Sequence, residues 1–195
     1  MTHVIVVGGG PAGLSAALFT AKNGLGTTVF DTDGTWMHSA HLFNYLGIGS
    51  IDGEVFMQNA RDQVDDFGAE RHDAEVTDVA ETDDGFTVHT EAEEHHGDYV
   101  VLATGANREL AEALGCTTDE DGVVEVDVTM ETSVADAYAT GGMVRAEEWQ
   151  AVISAGDGAA AALNILTKEK GEHFHDFDTP DDAERAMATL IDTDD

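Results

Sequence analysis

The chain has 195 residues, of which 40 are acidic and 8 are basic, so its formal net charge is -32 and its pI is near 4.1. This length suits one well-buried domain and is short for two. Nucleic acids and anionic membrane surfaces would be repelled by such a charge, which excludes both as default partners. The acidic residues are spread along the chain, and this pattern favours an acidic coat adapted to high salt over a local binding tail.

The cysteine content and the amino end bear on the compartment. Cys116 is the one cysteine of the sequence, so neither an intramolecular disulfide nor a CxxC redox pair can form within it. The chain passes from Met1 into an apolar stretch without a basic leader, and no apolar run approaches the roughly 20 residues of a membrane span. We therefore expect a cytoplasmic protein without a membrane segment.

Strands and helices alternate in the first part of the chain. A short apolar strand is predicted over residues 4–7, followed by a glycine loop and an alanine- and leucine-rich helix over residues 11–23. A second strand is predicted over residues 27–31 and ends on an acidic residue. This βαβ order predicts a parallel sheet.

The later elements suggest a small β insert within a parallel α/β core. Apolar residues at helical spacing predict a helix over residues 53–68, and strands over residues 75–79 and 86–90 form the insert. The remaining predicted elements are strands over residues 99–103, 123–126 and 137–140, a long alanine-rich helix over residues 149–167 and an amphipathic helix over residues 181–191.

The glycine loop after the first strand has the spacing of a dinucleotide-binding motif. Gly8 permits a tight turn, Gly10 lets the backbone approach a pyrophosphate, and Gly13 lets the helix pack closely on the strand. The free N–H groups at the start of the helix, near Pro11, would face the phosphates. Asp31 ends the second strand, where a carboxylate accepts hydrogen bonds from an adenosine ribose.

With these motifs the chain resembles the low-molecular-weight thioredoxin reductases, which belong to the two-dinucleotide-binding flavoproteins. The likeness begins with GGGPAG at residues 8–13 and continues in NYLG at residues 44–47 and VVLATGA at residues 100–106. Two further similar segments are TSVADAYATG at residues 132–141 and QA at residues 150–151. The resemblance implies one three-layer ββα Rossmann-like domain over residues 1–195, with residues 1–109 and 110–195 as its two halves.

The cofactor implied by the resemblance is FAD. Its contacts would be carried by the glycine loop, the second strand end, the second glycine motif and the start of the long helix. The implied cofactor-binding residues are Gly8, Gly10, Pro11, Ala12, Gly13, Asp31, Asn44, Val76, Ala103, Thr104, Gly105, Gly141, Gly142, Gln150 and Ala151.

The chain departs from the family pattern at several points. Its relatives carry a second nucleotide-binding domain with the CxxC pair after the Ala-Thr-Gly motif, whereas here residues 108–110 are followed almost at once by residues 122–127, which resemble the return into the FAD domain. Gly142 stands where the family has an Asp that holds the ribityl chain. Leu46 replaces a Pro, and Trp149 replaces a frequent Arg.

Three functions remain open from the sequence. The first is a flavoprotein oxidoreductase that passes electrons between a separate donor and a separate acceptor, with most of the chemistry supplied by the cofactor. The second is a non-catalytic FAD-binding module, and the third is a degenerate protein that holds ADP-like ligands. The resemblance also implies a homodimer, and apolar residues assigned to the flavin side favour association. Those residues are Trp36, Met37, Leu42, Phe43 and Trp149.

Other chemistry-bearing residues have a structural and a functional interpretation. His38 and His41 could relay protons near the flavin or be ordinary surface histidines. Trp36 and Trp149 could cover the flavin ring or be ordinary apolar cover. Cys116 is interpreted as a packed thiol, and no metal site is predicted.

The high-salt interpretation predicts that stability depends on salt. Lowering ionic strength from 1 M to 0.1 M lengthens the screening distance from about 3 Å to about 10 Å, so repulsion among surface carboxylates grows. We expect the thermal unfolding midpoint, followed by circular dichroism, to rise with KCl concentration over the molar range. A midpoint that is constant from low to multimolar KCl would contradict this interpretation.

Overall fold

The computed structural model describes residues 1–182. Those residues include ten strands and four α-helices, with short 3-10 helices at Trp36–Ser39 and Gly141–Val144, and residues 180–182 are also helical. The elements in chain order are β1 (His3–Val7), α1 (Pro11–Lys22), β2 (Gly26–Asp31), β3 (His41–Leu42), β4 (Ile51–Asp52), α2 (Gly53–Asp66), β5 (Glu70–Asp73), β6 (Val76–Thr82), β7 (Gly85–Thr90), β8 (Glu94–Gly97), β9 (Tyr99–Leu102), α3 (Glu109–Leu114), β10 (Ala137–Ala139) and α4 (Ala151–Lys170).

The central sheet has five parallel strands in the order β10-β9-β1-β2-β5. β1 lies in the middle and pairs with β2 on one side and β9 on the other. The side chains from Val4 to Val7 are buried whichever way they point, because both faces of the sheet are covered. Both halves of the chain contribute strands, since β10 pairs with β9.

Three layers are stacked around this sheet. Helices α1, α2 and α4 pack on one face, where the core includes Val6, Leu14 and Ile165. The antiparallel sheet β6-β7-β8 packs on the other face, where the core includes Ile5 and Val88. Alternate residues of β1 therefore point into two different cores. This arrangement confirms the predicted three-layer ββα fold, and the antiparallel sheet is the predicted β insert.

One predicted strand is wrong. Residues 123–126 alternate in the manner of a strand, but the structure gives them a single isolated bridge, between Thr118 and Val124. Turns on both sides limit the pairing: the Asp119 side chain accepts a hydrogen bond from the Val123 amide, and Asp127 does the same for Thr129. The segment is therefore a loop fixed by local carboxylate–amide bonds.

The other predicted elements are present within a few residues. The long helix begins at Ala151 and ends at Lys170, close to the predicted residues 149–167. Strands β5 and β8 carried no apolar pattern and were not predicted. The two-residue strands β3 and β4 and the six-residue helix α3 were not predicted either. Most of the last predicted helix, over residues 181–191, lies outside the described residues. No helix in residues 1–182 is long and apolar enough to cross a membrane.

The close packing of α1 on α4 generates a prediction with a matched control. A Cβ at Gly158 would lie 2.0 Å from the Ala12 carbonyl oxygen, whereas a Cβ at Gly156 on the same helix meets nothing within 4 Å. We expect Gly158→Ala to destabilise the fold by about 1–3 kcal/mol, because the helices must separate. Gly156→Ala should instead stabilise it by up to about 1 kcal/mol through helix propensity. Denaturant unfolding curves decide, and equal effects of both substitutions would contradict this packing.

Candidate cofactor site

A cleft of about 980 Å³ opens at the carboxyl ends of the central strands. Its floor is the loop between β1 and α1, and its walls come from the segments that follow β2, β9 and β10. β2 and β9 flank β1 on opposite sides, so this is where the chain order of the sheet reverses. Open parallel sheets bind their ligands at such a switch point.

The three motif glycines of the floor have three different environments. Gly8 has a φ of +111°, which side chains rarely adopt, and a Cβ there would lie 2.3 Å from the Ala103 carbonyl oxygen. A Cβ at Gly13 would lie 1.8 Å from the Gly8 carbonyl oxygen. Gly10 is open, because the nearest atom to its Cβ position is Thr35 Oγ1 at 3.8 Å. Gly8 and Gly13 are therefore needed for packing, and Gly10 leaves room for a ligand.

Two helices direct their N-termini at the cleft and have no acidic residue in their first turn. Neither α1, which begins at Pro11, nor α4, which begins at Ala151, has an acidic residue in its first turn. By contrast, the first turns of α2 and α3 contain Glu54 and Glu109. In a chain with 40 acidic residues, these two ends therefore keep the unpaired N–H groups and positive dipole that favour anions.

Asp31 forms the wall at the end of β2. A Cβ at Gly9 would lie 2.2 Å from Asp31 Oδ2, so glycine is required beneath this carboxylate. Asp31 Oδ1 accepts a hydrogen bond of 3.0 Å from the Asp33 amide, and Oδ2 lies 3.5 Å from Arg61 Nη2. The carboxylate is therefore held in one position at the edge of the cleft.

At the opposite end, two distant segments meet. Asn44 Nδ2 donates a hydrogen bond of 2.7 Å to Gln150 Oε1 across 106 residues of sequence. The rings of Trp36 and Trp149 lie 5.3 Å apart and are tilted by 56°. Both indoles line the cleft, and both are exposed. These contacts tie the start of α4 to the segment after β2.

Gly142, the departure from the family pattern, lies where two glycine segments approach each other. A Cβ there would lie 3.1 Å from the Gly105 carbonyl carbon and 3.4 Å from the Ala106 amide nitrogen. This contact is tighter than ordinary van der Waals contact, so a side chain at this position would require the 105–106 backbone to shift. The close approach matches the presence of glycine here.

Fourteen of the fifteen predicted cofactor-binding residues line the cleft, and Gly13 lies behind it, packed on Gly8. Their contact with a cofactor stays a prediction. The sequence reasoning did not assign several other lining residues, namely Gly9, Thr35, Ala74, Thr77 and Leu110. The GGG run signalled Gly9, but the others lie in loops, on strand β6 or on a helix face, with no motif.

The two flavin-side histidines have different surroundings. His38 lies between two carboxylates, with Nδ1 2.6 Å from Glu54 Oε2 and Nε2 2.7 Å from Asp33 Oδ1. The hydrogen bond to Glu54, followed by the one to Asp33, raises the pKa of His38. His41 lines the cleft, and its Nε2 lies 3.0 Å from Ser50 Oγ. In residues 1–182 no group of three or more acidic, histidine or cysteine residues could hold a metal ion.

Cys116 and the apolar residues assigned to the flavin side also have defined places. Cys116 is buried and contacts Thr132, and burial raises the pKa of its thiol. Met37 and Leu42 are buried core residues, so they do not belong to an exposed association surface. Phe43 is exposed, as are the two tryptophans. The predicted homodimer stays a prediction.

Comparison with known proteins places this geometry in a family. A family model described as pyridine nucleotide-disulphide oxidoreductase matches residues 2–105 and 56–159, and each match covers more than half of the chain. The thioredoxin reductase of Spironucleus barkhanus is 31% identical over 118 residues, which are 57% of this chain and 38% of that protein. The thioredoxin reductase of Streptomyces clavuligerus is 36% identical over 110 residues, or 53% and 34% of the two chains. The matches thus span about a third of these relatives' length.

Solved structures agree with the fold. A thioredoxin reductase from Gloeobacter violaceus superposes with a TM-score of 0.82 at 21% identity, covering 92% of this chain and 100% of that one. A ferredoxin-flavin thioredoxin reductase from Clostridium acetobutylicum gives a TM-score of 0.76 at 15% identity, covering 88% and 99%. At these identities the likeness establishes the shared fold.

Proteins of this kind bind FAD, and the cleft fits that cofactor. Gly10 leaves space for a pyrophosphate above the N-terminus of α1. Asp31 offers a carboxylate at one end, and the N-terminus of α4 faces the other. The open backbone at Gly10 and the two acid-free helix ends are the observations that support this fit.

The open position at Gly10 allows a clean test of cofactor placement. Gly10 has a φ of -78° and no protein atom within 3.4 Å of its Cβ position, so Gly10→Val should fold normally. The added methyl groups would occupy the space for the pyrophosphate, and we expect FAD to be lost from the purified protein. Flavin absorbance per chain measures the effect, and circular dichroism is the control for folding. A correctly folded variant with full flavin content would refute this placement.

Proposed function

Because the chain belongs to the pyridine nucleotide-disulphide oxidoreductase family, we propose that it is a thioredoxin-reductase-like FAD-dependent oxidoreductase that takes electrons from a separate donor and passes them to a separate acceptor. The observation that carries the proposal is a cleft in which two helix N-termini free of acidic residues meet, within a strongly acidic chain. Such a site favours a cofactor with a pyrophosphate and a ring that gains negative charge on reduction.

The first support for a separate donor is the connection between β9 and β10. It runs from residue 103 to residue 136 and contains one α-helix, α3. The resembling enzymes carry their pyridine-nucleotide domain at this point of the chain. No second GxGxxG follows Ala106 in the sequence, and Cys116 has no cysteine partner in it. These 195 residues therefore supply no nicotinamide domain or redox disulfide of their own.

The second support is that the basic residues of the described part of the chain lie away from the cleft and already have partners. No lysine or arginine of residues 1–182 lines the cleft. All seven in that range already have partners, which are carboxylates for five of them, backbone carbonyls for one and an aromatic ring for one. They are Lys22, Arg61, Arg71, Arg145, Lys168, Arg108 and Lys170. The pyrophosphate of FAD would therefore be held by backbone N–H groups, and in the described residues the cleft has no second, cationic site for the phosphates of a dinucleotide donor.

The roles of the chain's own residues follow from their positions. The α1 N-terminus and Gly10 would hold the pyrophosphate, and Asp31 would accept hydrogen bonds from the ribose. The α4 N-terminus would favour negative charge on the bound ring, and the Asn44–Gln150 hydrogen bond fixes that end of the cleft. FAD supplies the electron-transfer chemistry when it is bound.

A non-catalytic FAD-binding module is the alternative. It is favoured because few side chains of the cleft wall could take part in catalysis. In the described residues the ionisable groups of the wall are Asp31, Glu75, Glu109 and His41, and none of them is a thiol. Of these, only His41 lies in the segment assigned to the flavin side. Steady turnover between a defined donor and a defined acceptor separates the enzyme from the module.

The proposal predicts slow reaction with nicotinamides. Docking the donor is worth on the order of 7–11 kcal/mol of a barrier, so a chain without the docking domain should lose orders of magnitude in rate. We expect NADPH and NADH to reduce the bound flavin slowly, with rates that rise linearly with donor concentration. Anaerobic stopped-flow absorbance measures this, with dithionite as the control for reducibility. Fast bleaching that saturates in NADPH or NADH would overturn the proposal.

A further inference from the structure

A chain of ion pairs lies directly behind Asp31, and the function proposed above does not use it. We propose that Arg61, with Asp33 and His38, is a positioning group that fixes the Asp31 carboxylate for the adenosine ribose of FAD. We call this set the charge clamp. The inference rests on the proposed role of Asp31 in cofactor binding and does not depend on turnover.

Arg61 contacts both Asp31, at the end of β2, and Asp33, in the loop that follows. Its Nη2 donates to Asp33 Oδ1 and lies 3.5 Å from Asp31 Oδ2. The side chains of Arg61 and Asp31 are 12% and 17% exposed, so solvent screens this pair less than an exposed one. Arg61 does not line the cleft. It therefore acts on a ligand through Asp31.

The backbone at Asp33 shows that the clamp holds a costly conformation. Asp33 has a φ of +56°, one of three positive values at non-glycine residues in the described part of the chain. Left-handed backbone at such a residue costs about 1 kcal/mol or more and persists where surrounding contacts fix it. This conformation directs the Asp33 amide to Asp31 Oδ1 at 3.0 Å. The strained residue thus supplies the second restraint on the ribose-binding carboxylate.

His38 anchors the other side of Asp33. Its two ring nitrogens each face a carboxylate, that of Glu54 at 2.6 Å and that of Asp33 at 2.7 Å. Both can donate only in the imidazolium form. Although partial burial opposes the change, hydrogen bonds from Arg61 and His38 lower the pKa of Asp33. Arg61 and a histidine whose pKa is raised therefore lie among the carboxylates of Asp31, Asp33 and Glu54.

The clamp ties helix α2 to the cleft. Arg61 and Glu54 both belong to α2, and they contact the loop after β2 from two different turns of that helix. Without Arg61, the clamp would lose its permanent cation, and no guanidinium would lie between the carboxylates of Asp31 and Asp33. Repulsion would then turn Asp31 away from Gly9, and the ribose would lose its acceptor.

Arg71 provides a matched control for Arg61. Arg71 makes a two-pronged ion pair with Asp65, with both distances at 2.6 Å, and it does not line the cleft. Arg61→Gln and Arg71→Gln each remove one cation from a chain of the same charge. The first breaks the pairs with Asp31 and Asp33, and the second breaks the pair with Asp65. Only the first substitution removes a contact to Asp31.

The full chain, freed of flavin and kept in molar KCl, is titrated with FAD, ADP and FMN by fluorescence and calorimetry. We expect Arg61→Gln to weaken FAD and ADP by about tenfold. FMN lacks the adenosine, so its affinity should stay within about twofold of the parent value. Arg71 acts on Asp31 only through a longer-range charge interaction, so Arg71→Gln should change all three affinities by less than about twofold. Asp33→Asn, which tolerates the left-handed backbone, removes the charge that holds Arg61 and should weaken FAD and ADP in the same direction but by less, because the Asp33 amide still bonds Asp31. It decides the question if Arg61→Gln fails to fold.

A double-mutant cycle separates positioning from general stabilisation. In an Asp31→Ala background, Arg61→Gln should have no further effect on ADP affinity, because the group that it positions is gone. Equal losses for ADP and FMN, full additivity in the cycle, or an ADP affinity equal to that of Arg71→Gln would each overturn the inference. None of these titrations involves electron transfer, so failure of the proposed oxidoreductase activity would leave their result intact.

Discussion

Backbone-to-backbone contact around the first turn of α1 is the constraint on which the rest of the structure depends. Gly13 packs on the Gly8 carbonyl, Gly8 packs on the Ala103 carbonyl, and Gly158 packs on the Ala12 carbonyl. Each contact leaves no room for a Cβ, so β9 and α4 are both drawn against the loop between β1 and α1. This closeness brings the N-termini of α1 and α4 to one cleft, and the sheet order reverses at the same place.

The sequence predicted this central region well because its signals are local. The glycine spacing, the apolar run of β1 and the helical periodicity of α1 all lie within 25 residues. Strand β5 was missed because its residues, Glu70–Asp73, are mostly exposed, and it joins the sheet through backbone pairing with β2. Residues 123–126 show the reverse error: their alternation is strand-like, but flanking turns leave them one bridge. Side-chain patterns do not indicate which strand a segment pairs with through its backbone.

The site residues also fall into those that local sequence motifs predicted and those that they did not. Fourteen of the fifteen proposed cofactor residues could be placed in the cleft from motifs, since glycine spacing and strand ends carry that information. The charge clamp could not, because Asp33 and Arg61 are 28 residues apart and no motif links them. In a chain this acidic, an individual carboxylate carries little signal. The informative features are the places where acid is lacking, such as the first turns of α1 and α4.

The central claim is that these two helix ends and the glycine loop hold FAD, and the most direct measurement is the absorption spectrum of the full chain purified in high salt. The flavin released on denaturation is then identified by chromatography. The account predicts flavin bands in the visible spectrum and an equimolar amount of FAD. A folded, colourless chain that takes up no added FAD, or one that releases FMN, would contradict it.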